Sequence, residues 1–363
     1  GAPALFSWVA GGSFDIASCD PLVANSVKFD GTNDFVTFGN PTTAPTCSGG
    51  TNNGVGCTVN SQCPGGACAP DLGATSFTVE TWFNRQGTGT GASTGTLGIG
   101  GFIPLVTKGA GEAEGSNVDA NYLLGIASNT CVGGTNAGAG CAVASTCPGG
   151  TCTGSPVIAA DFEEGPGGPG PLGLNHPLAG VTAISLNTWH HAAVTYDATS
   201  RVMSLYLDGV LDKDNSAAPF AAGVVPRADS IQHAGLGTSL TSAGAQLGFF
   251  NGTLDEVRIW KAARSAAQIS ADYLNQLTSG TDLIARWGLN EGTGLTAADS
   301  VGPPFSTGTL TNGPVWANST AFSGGGAPPC DDGVACNGAD NCDVSIFRCS
   351  IHAQVCPTLT PTP

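Results

Sequence analysis

The stretch Gly252–Trp260, GTLDEVRIW, together with the 17 residues after it, limits this chain more than any other feature. Leu254, Val257 and Ile259 are apolar, whereas Asp255, Glu256 and Arg258 are not. From Glu256 onward the alternation has a period of two, which predicts a half-buried strand. KAARSAAQISADYLNQL comes directly after it. Ser265 followed three residues later by Gln268 is a capping-box start, and Ile269, Tyr273 and Leu277 fall on one helical face. Elsewhere the chain shows little helical periodicity. One strand, one turn and one short helix set among many short apolar runs exclude a helical bundle and a regular α/β alternation.

The other runs read as strands. Phe77, Val79, Thr81 and Phe83 share one face of a strand, with Thr78, Glu80 and Trp82 on the other. Phe102–Lys108, Asn121–Ala127, Val157–Phe162, Leu247–Asn251, Leu283–Leu289 and Pro314–Ala317 are further candidates. His190–Tyr196 and Val202–Leu207 form a hairpin pair, and Asp208-Gly209 is a tight-turn signal. Val27–Phe38 reads as a hairpin around Asp30–Asp34. Residues 86–101 and 163–173 are glycine-rich loops. Short strands, glycine-rich turns and one helix predict an all-β fold, an antiparallel two-sheet sandwich.

Seven stretches carry a family resemblance. VKFDGTNDFVTF (27–38), FTVETWF (77–83), WHHAAVTYD (189–197), VMSLYLDG (202–209), the strand and helix of 252–277, LIARWGLNEGTG (283–294) and GTLTNGPVW (308–316) occur in one order. In that order they resemble laminin-G-like domains of the concanavalin-A-like lectin-glucanase jelly-roll class. The resemblance covers roughly Asn25 to Ala317. It implies a two-sheet jelly roll, and it implies a structural Ca2+ held by Asp30, Asn33, Asp34 and Asp255. The class carries lectins, adhesins, structural modules and glycanases, so it does not name a function.

No catalytic pattern stands out. The glucanase branch needs Glu-x-Asp-x-x-Glu on one strand face, and that spacing is missing. Asp161-Phe-Glu163-Glu164 and Asp255-Glu256 are the nearest carboxylate clusters, and neither matches. Gly91-Ala-Ser93-Thr-Gly95 fits G-x-S-x-G but lacks the strand-to-helix context. His190-His191 in a strand predicts one ring turned inward to a hydrogen bond and one facing solvent. Trp82, Trp189, Trp260 and Trp287 sit in strand motifs, where packing is their expected role. The expectation is a protein without enzymatic activity.

Twenty-seven acidic against 11 basic residues give a net charge of −16, which argues against nucleic acid as a partner. Fourteen cysteines and no C-x-x-C predict an oxidising compartment: a secreted, extracellular or cell-surface protein. No apolar run reaches the 18 or so residues of a membrane span. The chain begins at Gly1 rather than Met, which predicts removal of a signal peptide.

Residues 1–25 form an apolar arm, in which Leu5, Phe6, Trp8 and Val9 are candidates for packing on the sandwich or lending a strand to a neighbour. The sandwich spans 26–320. Two cassettes interrupt it, 47–68 and 131–152, each 22 residues long and matching at 15 positions. Their cysteines are Cys47, Cys57, Cys63, Cys68 and Cys131, Cys141, Cys147, Cys152; four allow three pairings, and the sequence does not choose. A linker (321–329), a cysteine-rich knot (330–356) and a Pro/Thr stalk (357–363) come next. Cys19 is left with Cys330, Cys336, Cys342, Cys349 and Cys356, so Cys19 is expected to bond a tail cysteine, within the chain or between chains. Asn251 and Asn318 fit N-x-S/T, and Thr358, Thr360 and Thr362 lie between prolines, so all five are candidate glycosylation sites. The leading expectation is a structural or adhesive module, calcium-stabilised and disulfide-stapled, that associates with other copies of itself. The alternative is a lectin domain of a larger surface protein, with glycans as partners.

Overall fold

In the computed structural model, residues 25–38, 47–49, 51, 64, 66–68, 72–112, 118–127, 130–135, 148–301, 306–319, 321, 341–343 and 348–350 are described. Two antiparallel sheets of eight and nine strands pack face to face. The first sheet runs in spatial order Val210–Asp214, Val202–Leu207, Trp189–Asp197, Phe77–Arg85, Asn251–Trp260, Asn25–Asp30 and Val315–Asn318, with Leu283–Trp287 also on the 251–260 strand. The second is ordered Leu178–Ala179, Val157–Asp161, Tyr122–Ala127, Gly100–Lys108, Ala234–Leu236, Phe35–Thr37, Gly308–Thr311 and Thr296–Ala297, with Ala92–Ser93 added beside Gly100–Lys108. This is the all-β jelly-roll sandwich that the short-strand pattern predicts.

Alternation explains the core. Phe77, Val79 and Phe83 from the first sheet and Tyr122, Leu124, Ile126, Ile158 and Ala160 from the second enter one apolar cluster. Aromatic rings bridge the layers: Phe77 lies 5.5 Å from Tyr122, and Phe162 lies 4.6 Å from Tyr196. Each buried aromatic of this kind stabilises by about 1.5–3 kcal/mol.

Two local expectations change. Asn25–Asp30 joins the first sheet and Phe35–Thr37 the second, so the Asp30–Asp34 turn crosses between layers and is not a hairpin. Both strands keep one apolar face, but each finds a different partner across the core. The 251–260 strand is buried on both faces rather than half-buried. A bulge lies between Asp255 and Arg258, with Glu256 at φ +47°. The polar residues on its outer side enter a second layer under the helix.

That layer is closed by the segment C-terminal to the strand. The helix runs Ala266–Asp272, and the Ser265/Gln268 capping box forms in both directions. It is shorter than the sequence pattern reaching Leu277; Tyr273 is already its C-cap. Ile269 packs with Ala193 and Tyr206 on the outer face of the first sheet. Thr78 Oγ1 donates to the Ala262 carbonyl at 2.7 Å and accepts from the Arg264 N–H at 2.8 Å. Trp82 stacks on Tyr273, with ring centres 6.1 Å apart. Trp82, Trp260 and Trp287 are buried, which matches the packing role. The Val202–Leu207 and Val210–Asp214 strands are joined by Asp208-Gly209, both at positive φ (51° and 76°), the turn a two-residue hairpin requires.

Three small hairpins set cysteines opposite one another: Cys47 with Cys68, Cys131 with Cys152, and Cys342 with Cys349. The first two pairs are the first and last cysteines of each cassette.

Candidate functional site

On the outer face of the second sheet, the Val157–Asp161 strand and its extension carry Asp161 and Glu163 two residues apart. Strand periodicity puts both on the same side. Asp161 and Glu163 are each 1% exposed. Loop 86–101 and loop 163–176 close over them.

Among the described residues Asp161 accepts only from neutral donors. Thr94 Oγ1 donates to its Oδ2 at 2.6 Å, Asn175 Nδ2 at 3.1 Å, and the Phe162 and His176 N–H groups donate to Oδ1 at 2.8 Å each. Burial pushes its carboxyl up to about 7, against the pull of these hydrogen bonds. Glu163 Oε2 accepts from the Ala120 N–H. The Asn175 amide nitrogen also donates to the Thr94 carbonyl at 2.8 Å. Both partners of that nitrogen are acceptors, which fixes the orientation of the amide. Among the described residues Asn175 Oδ1 is left buried with no hydrogen-bond partner.

Glycine makes the closure possible. A Cβ on Gly95 (φ +126°) would come within 2.4 Å of Asn175 Oδ1 and 2.7 Å of Glu163 Oε1. One on Gly98 would lie 2.2 Å from Thr94 Oγ1 and 2.8 Å from Asp161 Oδ2. The loop backbone therefore sits directly on a group of oxygens: two carboxylates, an amide and a hydroxyl. Glu164 is held nearby by His176 at 3.0 Å. Among the described residues no three His, Cys, Asp or Glu side chains gather as a metal site. The Asp161 group is a different donor set, two carboxylates supplemented by neutral oxygens, and this set suits a hard cation such as Ca2+. An unpartnered amide oxygen beside two buried carboxylates fits such an ion.

The calcium residues suggested by the family resemblance are not brought together. Asp30 Oδ1 accepts from the Thr32 and Asn33 N–H groups at 2.7 and 3.3 Å, and Asp34 Oδ2 accepts from the Asp30 N–H at 3.2 Å. The Thr32 hydrogen bond holds the Asp30 carboxyl below its usual value. Asp30 pairs with Asn251, so Asp255 lies four residues further along, roughly 13 Å away at the strand rise. Asp255 is bonded to Ser319 instead, and burial, then Glu256, raises its carboxyl well above the usual range.

The other predicted positions are scattered. Asn251 Nδ2, the atom an N-glycan would take, donates to the Asp30 carbonyl at 2.9 Å and sits against Gly31 and Gly87. Asn318 is exposed on an edge strand. Leu5, Phe6, Trp8, Val9, Cys19, Thr358, Thr360 and Thr362 lie outside the described residues, as do Cys57, Cys63, Cys141, Cys147, Cys330, Cys336 and Cys356. The Asp161–Glu163 pair was visible in sequence only as a cluster of the wrong spacing for a glucanase. Its partner Thr94 lies 67 residues away in the chain, and Asn175 lies 14 residues on, across a glycine-rich loop.

Residues 173–270 match the family model described as the concanavalin A-like lectin/glucanases superfamily. None of the curated proteins matches the sequence. Among solved structures, the chain is similar to a candidate carbohydrate binding protein from Bacteroides ovatus, at 15% identity and a TM-score of 0.46, over 82% of this chain and 61% of that one. It thus spans about three-fifths of that protein's length. A heptameric SAP-like pentraxin from Limulus polyphemus is similar at 11% identity and a TM-score of 0.44, over 83% of this chain and 98% of that one. The CBM40 of a Ruminococcus gnavus IT-sialidase, bound to alpha2,3 sialyllactose, is similar at 12% identity and a TM-score of 0.33, over 55% and 83%.

Proposed function

We propose that this concanavalin-A-like sandwich is an extracellular carbohydrate-binding module whose ligand-facing loops are organised by Ca2+ at Asp161, Glu163 and Asn175. The observation that carries the reading is the buried Asn175 Oδ1 without a partner beside two carboxylates under the Gly95–Gly98 loop. Bound there, the cation would supply positive charge to the carboxylates and hold the loops that cover it. The chain's own residues do the rest. Thr94 and Asn175 tie loop 86–101 to loop 163–176 through Asp161, so filling the site fixes both loops relative to the sheet. Those loops contain no Trp, Tyr or Phe from 86 to 101 and only Phe162 at the edge of the other. Recognition therefore rests on polar contacts rather than on stacking. The buried carboxylates have no open approach for a substrate, which supports binding rather than hydrolysis.

The extracellular placement rests on cysteine pairing. Directly opposed residues in an antiparallel pair have Cα atoms about 4.5–5.5 Å apart, within disulfide range. Cys47–Cys68 and Cys131–Cys152 bonds are then the outer staples of the cassettes. Peptide mapping under non-reducing conditions should recover both; first-to-second pairing in either cassette would refute the staple. Calcium tests the site itself. Calorimetric titration should show saturable Ca2+ binding that Asp161→Asn abolishes, and a glycan array should give signals that a chelator removes. Glycan signals indifferent to chelator would sink the cation reading. Ca2+ binding without any glycan signal would sink the lectin reading.

A further inference from the structure

We propose that Ser185, His190 and Asp208 form a nucleophile–base–acid relay that cleaves esters of small acyl groups, at a site apart from the Asp161 cluster. Ser185 Oγ lies 2.9 Å from His190 Nε2, and His190 Nδ1 lies 2.8 Å from Asp208 Oδ2. This is the arrangement an activated serine needs: the hydroxyl within reach of a base, and the base oriented by a third group.

The backbone fixes each member. Asp208 sits in the tight turn after the Val202–Leu207 strand. Its Oδ1 accepts from the His191 N–H at 2.8 Å, and its own N–H donates to the His191 carbonyl at 2.8 Å. Oδ2 is thereby aimed at His190. The Asp208 carboxylate is an acceptor, so Nδ1 carries the ring proton and Nε2 accepts from the Ser185 hydroxyl. This is the tautomer a general base requires. The His190 ring lies against Phe83, with centres 5.9 Å apart, which limits its rotation. The serine loop is pinned on both sides: the Ile184 N–H donates to the Pro156 carbonyl and the Asn187 N–H to the Arg85 carbonyl, each at 2.8 Å. Asn187 takes a positive φ of 56°.

The surroundings supply what a purely structural tie would not need. Ser185 is exposed, while His190 is mostly covered at 13% side-chain exposure. The N–H groups of Ser185 and Leu186 donate no hydrogen bond among the described residues. Two adjacent free N–H groups at the nucleophile are the donors an oxyanion takes. Leu186 and Val210, next in sequence to Ser185 and near Asp208, are 51% and 68% exposed and offer an apolar rest for a short acyl chain. Ser185 lies exposed at the surface, which suits small acyl groups that need no deep pocket.

The chemistry balances without a redox partner. Ser185 Oγ attacks the ester carbonyl as its proton passes to His190 Nε2. The C–O bond to the leaving alcohol breaks, and His190 returns the proton to that alcohol. Water then gives a proton to His190 and attacks the acyl-serine; the carboxylic acid leaves and Ser185 regains its proton.

The test uses the full chain, a fluorophosphonate probe and p-nitrophenyl acetate. Expected are a single covalent adduct mapped to Ser185 and ester turnover that Ser185→Ala removes entirely, with His190→Gln lowering it by about 10²-fold. A chelator should leave both readouts unchanged, which separates this site from the proposed Ca2+ site. Ser185→Ala removes one exposed hydroxyl, and an unchanged melting curve verifies that the fold is intact. No adduct at Ser185, an equal adduct on Ser185→Ala, or turnover undiminished by that substitution overturns the proposal.

Discussion

Glu80 and Asp161 are both carboxylates buried on the outer faces of the two sheets, one under the helix and one under the glycine loop. Their surroundings differ in charge. Glu80 Oε1 lies 3.0 Å from Arg258 Nε, 3.5 Å from Arg264 Nη1 and 2.8 Å from Trp260 Nε1, and Oε2 lies 3.3 Å from His191. Burial alone would push its carboxyl up; Arg258, His191 and Arg264 outweigh that and hold it well below the usual range. Burial in turn lowers the His191 pKa. Arg264 also lies 4.2 Å over the Trp260 ring and pairs with Asp272 of the helix. Asp161 has four hydrogen bonds and no cation among them. A cluster that carries its own counter-charge joins elements of the fold. One that lacks positive charge is the better place to seek a ligand.

The largest effect expected from this contrast is at Glu80. Glu80→Gln leaves Arg258 buried without its counter-charge, and breaking a buried pair from one side costs about 3–5 kcal/mol. Urea denaturation should show that loss whether or not Ca2+ is present. A loss below about 1 kcal/mol would mean the cluster does not tie the helix to the sheet.

Asp161 should respond to pH instead. Its folded pKa of about 7 lies above the unfolded value. The stability held by the neutral acid is therefore complete below about pH 4 and is lost as pH rises through about 7, on the order of 4 kcal/mol in metal-free protein. Asp255 and Asp299 also shift upward, so the measurement is the difference between wild type and Asp161→Asn across that window. Parallel stability curves for the two proteins would remove the contrast with Glu80.

Calcium should then act on one cluster only. At 100 times its dissociation constant it should add about 2.7 kcal/mol to the wild type and nothing to Asp161→Asn. Gly95→Ala, which would force a Cβ against Asn175 and Glu163, should also block the response. The Ca2+ increment should persist in Glu80→Gln if that protein folds.

The smallest effect belongs to the helix that covers Glu80. Ser265→Ala removes both the cap and the hydroxyl contact to Gln268, at about 1 kcal/mol. Helix fraying should result, measured by amide exchange at Gln268 and Ile269, with no change near Asp161.

Local patterns set much of this protein. Period-two alternation in Phe77–Phe83 placed its apolar face in the core, Ser265 and Gln268 marked the start of the helix, and Asp208-Gly209 marked a turn that the structure contains. Each is a short-range rule, because a strand face, a cap and a two-residue turn depend on neighbours a few residues away. Val27–Phe38 shows where such rules stop. Two strands joined by an Asp-Gly turn look alike whether they pair with each other or pass to opposite sheets, and only competition among all strands for partners decides between the two. Asp255, Glu256 and Arg258 read as solvent-facing because alternation reports polarity, not what covers it; Ser319, Arg286 and the end of the helix respectively meet them in the interior. Thr94, Asp161, Glu163 and Asn175 carry no common motif. Thr94 lies 67 residues before Asp161 and Asn175 14 after it, and their oxygens meet because the sheet and two glycine-bearing loops close there, so the candidate site was a product of tertiary structure.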